Sequence, residues 1–102
     1  MLDTLTLDQI RTFVTIADSG SFRSAAQKLS RVQSGVGATI AHLENTLGVK
    51  LFDRSGYKPA LTPEGYVLLG NARDIILRVD VLRAQAFGFA HGVETQLAIS
   101  VD

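Results

Sequence analysis

Cysteine is absent from the sequence. Disulfides and cysteine-ligated zinc are thereby excluded, and a reducing cytoplasm becomes the expected compartment. No apolar run approaches the length of a membrane span, so no membrane contact is expected. The first residues, MLDTLTLDQIR, lack a basic segment followed by an apolar one, so no signal peptide is expected either. The two histidines, His42 and His91, have no metal-ligand spacing, and neither a metal nor another cofactor is expected. Also missing are a Gly-x-Ser-x-Gly elbow, a Walker loop and a His-Glu-x-x-His helix. Nothing in the chain points to an enzyme. It holds no internal repeat and no low-complexity segment.

Net charge is missing too, since ten bases balance ten acids. That weakens long-range attraction to nucleic acid, yet the distribution is uneven. Residues 1–58 hold seven bases against five acids, and residues 59–102 hold three against five. Between Ser19 and Leu43 stand Arg23, Lys28 and Arg31 with no acid. A basic face on a neutral protein suffices for local attraction to phosphate. The 102 residues allow one compact domain with one extended element beside it.

The stretch from Ser21 to Leu47 organises the rest. Phe22, Ala25, Ala26 and Leu29 recur at helical spacing. So do Val36, Ile40, Leu43 and Leu47, which predict a buried face on a helix from about Val32 to Leu47. Only Ser30, Arg31 and Val32 separate the two patterns, as in a helix-turn-helix. Upstream, Thr6-x-x-Gln9 forms a capping box, and Leu7, Ile10, Phe13, Val14 and Ala17 follow as a first helix. Gly20 suits its left-handed end, and Ser21 suits the N-cap of the next helix. Gly48 is placed to close the third.

Downstream, Val49, Leu51 and Phe52 are strand-prone, Asp53-Arg54-Ser55-Gly56 is turn-rich, and Tyr57 to Leu61 leads back. A two-stranded hairpin, or wing, is expected, with Pro59 on an edge. Thr62-Pro63-Glu64 then starts a long helix. Along it Leu68, Ala72, Ile75, Val79, Leu82, Ala86 and Phe89 form a heptad seam suited to a second copy of the chain. Leu69 and Ile76 make a second stripe that can anchor its first half to the core. Gly88 and Gly92 weaken its end, and residues 96–101 alternate like a strand without a partner.

With the third helix packed through Val36, Ile40 and Leu43, it turns Ser34, Ala38, Ala41 and His42 outward, flanked by Gln33 and Gly37. Gln33 can pair with adenine, and Ser34 and Thr39 can bond bases or phosphate. Arg54, Tyr57 and Lys58 give the wing a basic tip beside an aromatic, suited to phosphate or a minor groove. Ser21 and Arg23 can hold a phosphate at a helix N-terminus. Gly35 and Gly37 lack the strand and the third glycine of a phosphate loop. Close packing on Ala25 and Ala26, or close approach to DNA, is the expected reason for them. Each assignment has a plainer counterpart: a bundle surface, a solvated loop, an ordinary cap. Taken alone, the helix-turn-helix pattern leaves DNA binding and simple packing about equally open.

The run from Thr12 to Gly65 resembles the N-terminal DNA-binding domain of LysR-type transcriptional regulators. The matching pieces are Phe13-Val14, Gly20-Ser21-Phe22, Ala25-Ala26, Leu29, Gln33-Ser34, Ile40, Leu43-Glu44, Leu47-Gly48, Leu51-Phe52, Arg54, Leu61-Thr62 and Glu64-Gly65. The resemblance implies a mainly α fold: a winged helix-turn-helix, with a three-helix core and two-stranded wing, followed by a long dimerisation linker helix. It implies residues 1–62 as the DNA-binding domain, 63–91 as the linker helix, and 92–102 as a hinge and the first strand of an effector domain. Partners would be double-stranded promoter DNA and a second chain, with a tetramer in a longer protein. A small-molecule effector would act only through that further domain. DNA contacts would fall on Gln33, Ser34, Gly37 and Ala38 and on Arg54 and Lys58 in the wing.

The chain departs from the family at three positions. Val32 stands where a serine or threonine cap is usual, so Ser30 is the candidate substitute. Gly37-Ala38 stands where Ser-Arg is common, so Arg31 is expected to supply the charge. Two other classes remain open at this point. One is a protein-interaction module whose helical seam is the function. The other is a different winged-helix family, such as the molybdate-responsive regulators.

Overall fold

A computed structural model of the chain describes residues 5–92; the predicted strand at 96–101 lies outside them. The element order is α1 (Leu7–Ser19), α2 (Phe22–Leu29), α3 (Gln33–Leu47), β1 (Phe52–Asp53), β2 (Ala60–Leu61) and α4 (Pro63–Ala90). The capping box starts α1. Gln9 N–H donates to Thr6 Oγ1 at 3.1 Å, and Thr6 N–H donates to Gln9 Oε1 at 2.9 Å. Ser21 caps α2 by accepting from Ser24 N–H at 3.0 Å. Gly20 and Gly48, at φ +80° and +77°, close α1 and α3 in the left-handed conformation that glycine adopts without cost.

The three helices share one core. Phe13 and Ile16 of α1 meet Ala25 and Ala26 of α2 and Val36, Ile40 and Leu43 of α3, all buried. Phe52 of the wing enters this core and touches Phe13 and Phe22 edge to face, with ring centroids 5.6 and 5.7 Å apart. Leu47 is 39% exposed instead of closing the buried stripe of α3. Near this end of the helix Glu44 takes the inward place, its carboxylate turned to the Leu51 and Phe52 amides.

The wing is smaller than the sequence suggests. Its antiparallel strands have two residues each, Phe52 opposite Leu61 and Asp53 opposite Ala60. Side-chain bonds hold it instead. The buried Glu44 carboxylate accepts from Leu51 N–H at 2.8 Å and Phe52 N–H at 3.2 Å. Thr62 donates its hydroxyl to Lys50 O at 2.6 Å and accepts from Gly65 N–H at 2.9 Å, so one residue ties the wing and caps α4.

Helix α4 has 28 residues, about 42 Å at about 1.5 Å each. Its first half lies on α1, with Leu69 and Ala72 buried and Leu68 and Ile76 half-buried against the core. Arg73 pairs with Asp18 of α1 at 2.6 Å, and that carboxylate holds the guanidinium pKa above its ordinary value. This corrects the proposed seam. Ala72 is spent on the core and Leu68 largely so. Ile75, Val79, Leu82, Ala86 and Phe89 remain at least partly accessible, Leu82 at 66%. Among the described residues no helix is long and apolar enough to cross a membrane.

Candidate nucleic-acid interface

The turn between α2 and α3 sets the presentation of α3. Ser30 ends α2 at φ +56°, the left-handed region, and Arg31 N–H returns to Ala26 O at 2.9 Å. Ser30 is therefore the C-cap of α2 and does not replace the missing cap of α3. Val32 holds that position with no side-chain bond and is 71% exposed. The helix accordingly begins one residue later than expected, at Gln33.

Arg31 is not a free substitute for the missing arginine. Its guanidinium makes a two-pronged pair with Asp8 of α1, Nη1 at 2.9 Å from Oδ2 and Nη2 on Oδ1. The bonded guanidinium holds the Asp8 carboxyl below the usual range, with burial opposing, and Arg31 is raised in turn. Its first duty is to lock the turn onto α1.

One face does collect the predicted residues. An open cleft between α3 and the wing is lined by Gln33, Ser34 and Gly37 on one wall and Arg54, Gly56, Tyr57 and Pro59 on the other, over Phe22. Arg54 is positioned there by stacking, its guanidinium carbon 4.0 Å from the Phe22 ring centroid. Tyr57 and Lys58 are exposed at the wing tip. Asp53 in the same turn accepts from Ser55 N–H at 2.9 Å, a bond that lowers its pKa.

Ala38 and His42 are exposed on α3 outside this cleft. Thr39 is half-buried, with its hydroxyl donating to Gly35 O at 2.9 Å, so its proton is already engaged. Ser21 is half-buried with its oxygen on Ser24, and Arg23 beside it is exposed away from the cleft. The packing explanation for the two glycines fails. A Cβ at Gly37 would meet nothing within 4 Å, and one at Gly35 only Val32 Cγ2 at 3.5 Å. The glycines thin the outward side of the helix.

Two residues that shape this face are not among those the sequence points to. Glu44 braces the wing against α3. Its signal was available, because it continues the Val36-Ile40-Leu43 stripe into a position where a carboxylate must find donors. Phe22 was assigned to the core alone, although its ring also seats Arg54. The Asp8–Arg31 pair, 23 residues apart, left no local signal.

A three-helix core, an outward third helix with small side chains and a hairpin beside it define a winged helix-turn-helix protein. The chain belongs to the lysR family of bacterial regulatory helix-turn-helix proteins, whose family model matches residues 7–66. It is 41% identical over 95 residues to the Escherichia coli probable HTH-type transcriptional regulator YhaJ, covering 93% of this chain and 32% of that protein. It is 39% identical over 102 residues to the Klebsiella pneumoniae HTH-type transcriptional activator AllS, covering all of this chain and 37% of that one. The chain thus spans about a third of the length of these curated relatives. Among solved structures, the BenM DNA-binding domain in complex with catB site 1 DNA superposes with a TM-score of 0.82 at 31% identity. That match covers 86% of this chain and 95% of that one. Corynebacterium glutamicum OxyR matches at 0.77 and 41%, covering 81% and 27%. The family match removes the molybdate-responsive alternative.

Proposed function

We propose that the chain binds double-stranded promoter DNA in the bacterial cytoplasm as the DNA-binding domain of a transcriptional regulator and that it does so as a homodimer. The observation that carries this is the cleft, where Gln33, Ser34 and Gly37 of α3 face Arg54 and Tyr57 of the wing. A helix with short side chains enters a major groove closely, and the adjoining wing meets backbone or minor groove. Support comes from the lysR family match and from the BenM domain, which is similar over most of both chains and was solved with DNA.

The division of labour is one of position. Gln33, Ser34, Gly37 and Ala38 approach base edges, while Arg54, Tyr57 and Lys58 hold phosphates or the minor groove. Arg23 and His42 lie on the flanks and serve the backbone. Residues 1–62 form the DNA-binding unit, and 63–91 the helix through which two copies join. The accessible stripe Ile75, Val79, Leu82, Ala86 and Phe89 suits that role. Two chains would place two α3 helices on successive major grooves of a dyad. Effector sensing is not assigned to this chain.

The test is a fluorescence anisotropy titration against duplexes enriched from a random pool, repeated over a range of salt. Affinity should fall steeply with salt. Lys58→Ala should weaken all sequences alike, whereas Gln33→Ala should relax preference at one base position. No enriched dyad and no salt dependence would reject DNA binding in favour of a helical interaction module.

A further inference from the structure

We propose that α3 reads A·T base pairs, and that Ala38 and Ala41 do so by packing on thymine methyl groups. The proposal rests on the DNA-binding function above and names the base pairs that the same face selects.

Residues 32–43 contain no charged side chain. Guanine is read in a major groove chiefly by arginine or lysine on its O6 and N7 atoms, and α3 offers neither. It presents one carboxamide at Gln33, one hydroxyl at Ser34, and bare methyl groups at Ala38 and Ala41, all exposed. Ser34, Ala38 and Ala41 follow at spacings of four and three, so they share one stripe of the helix. A carboxamide matches the paired N6 and N7 of adenine. An exposed methyl finds its apolar counterpart on a base edge only at the thymine C5-methyl. Gly37, which shares a cleft wall with Ala41, has open space where a Cβ would stand, so the helix there does not hold bases away.

Three basic side chains adjoin the stripe: Lys50, whose ammonium lies 3.8 Å from the Glu44 carboxylate at the far end of the cleft that Ala41 lines, Arg54 and His42. Arg54 shares that cleft, but its guanidinium lies over Phe22 at 4.0 Å, on the wing side. His42 is one turn beyond Ala38 and can offer guanine a single contact, not the two-pronged one that discriminates strongly.

The experiment uses the whole 102-residue chain and the duplexes enriched from a random pool. Replacing thymine by deoxyuridine removes the methyl and nothing else. Each methyl that packs on Ala38 or Ala41 should then be worth about fourfold in affinity, at one or two positions per half-site. Ala38→Arg should exchange a T·A preference for G·C at one of them. Unchanged affinity for the uridine duplex, or enrichment of G·C pairs at the base-reading positions, would overturn the proposal and leave DNA binding standing. An Ala38→Arg variant that keeps its T·A preference would remove Ala38 from the assignment. Failure to enrich any duplex would instead overturn the DNA-binding function. The uridine measurement alters only the DNA, so it does not depend on how a variant folds.

Discussion

Gly65→Ala should destabilise this protein although it places the better helix former in a helix. Gly65 lies buried in the first turn of α4, beneath the wing. An added Cβ would stand 2.3 Å from Leu51 O and 3.1 Å from Leu61 Cδ2. Carbon and oxygen settle at roughly 3.3 Å, so the two must part by about 1 Å. The carbonyl cannot retreat cheaply. Leu51 O accepts from Thr62 N–H at 3.0 Å, and Leu51 N–H is held by Glu44 at 2.8 Å. Overpacking of this kind costs about 1–3 kcal/mol. Loss of the Thr62 bond adds about 1 kcal/mol. The helix preference of alanine over glycine returns at most about 1 kcal/mol. The net is a loss of about 1–3 kcal/mol. Urea unfolding followed by far-ultraviolet circular dichroism, at one fixed protein concentration, should show the midpoint about 1 M lower. Gly70→Ala is the internal control. It lies in the same helix, exposed, with nothing within 4 Å of an added Cβ. It should stabilise by about 0.5–1 kcal/mol. A Gly65→Ala midpoint at or above that of the unaltered chain would refute the close-approach argument.

Other substitutions probe the remaining joints. Glu44→Ala leaves the Leu51 and Phe52 amides without an acceptor and should cost about 3 kcal/mol in the same assay, with Glu44→Gln costing less. Asp8 has a lowered pKa, so its pair with Arg31 contributes above the ordinary aspartate range and is lost as pH falls through the depressed value. Asp8→Asn should therefore lower stability at neutral pH and lose that deficit in acid, which unfolding midpoints across pH would reveal. Leu82→Asp, on the exposed part of α4, should give monomers in sedimentation velocity without lowering the helix content. A dimer that survives it would move the interface elsewhere.

What the sequence revealed and what it hid divide along a physical line. The helix boundaries were legible because their signals are local: the Thr6 and Gln9 box, Ser21 with Ser24, Thr62 ahead of Pro63. The buried stripe of α3 was legible because it is periodic. What was not legible depends on two distant segments meeting. Arg31 is expected to supply the charge that Gly37-Ala38 lacks, but Asp8 pairs with it from the first turn of α1, 23 residues away. The heptad spacing on α4 predicts one continuous stripe from Leu68 to Phe89. Ala72 and Leu68 share its periodicity, but α1 reaches them first. Periodicity reports that a face is buried and not which neighbour covers it.

The uncapped start of α3 shows how these levels combine. Losing an N-cap costs about 1 kcal/mol, and two glycines add about 1 kcal/mol each, so local propensity argues against a helix here. Against this, Val36, Ile40 and Leu43 are 0, 0 and 1% exposed. Full burial of three such side chains contributes about 5–9 kcal/mol at about 1.5–3 each. Packing therefore outweighs the local deficit and, together with the turn that Arg31 locks onto α1, fixes where α3 points. It follows that the outward residues Gln33, Ser34, Gly37 and Ala38 carry little of the stability. They are free to vary with the DNA they meet, while Val36, Ile40 and Leu43 are not. Substituting the first set should change base preference with small shifts in unfolding midpoint. Substituting Ile40 by alanine should cost about 2–5 kcal/mol and abolish binding to every sequence alike.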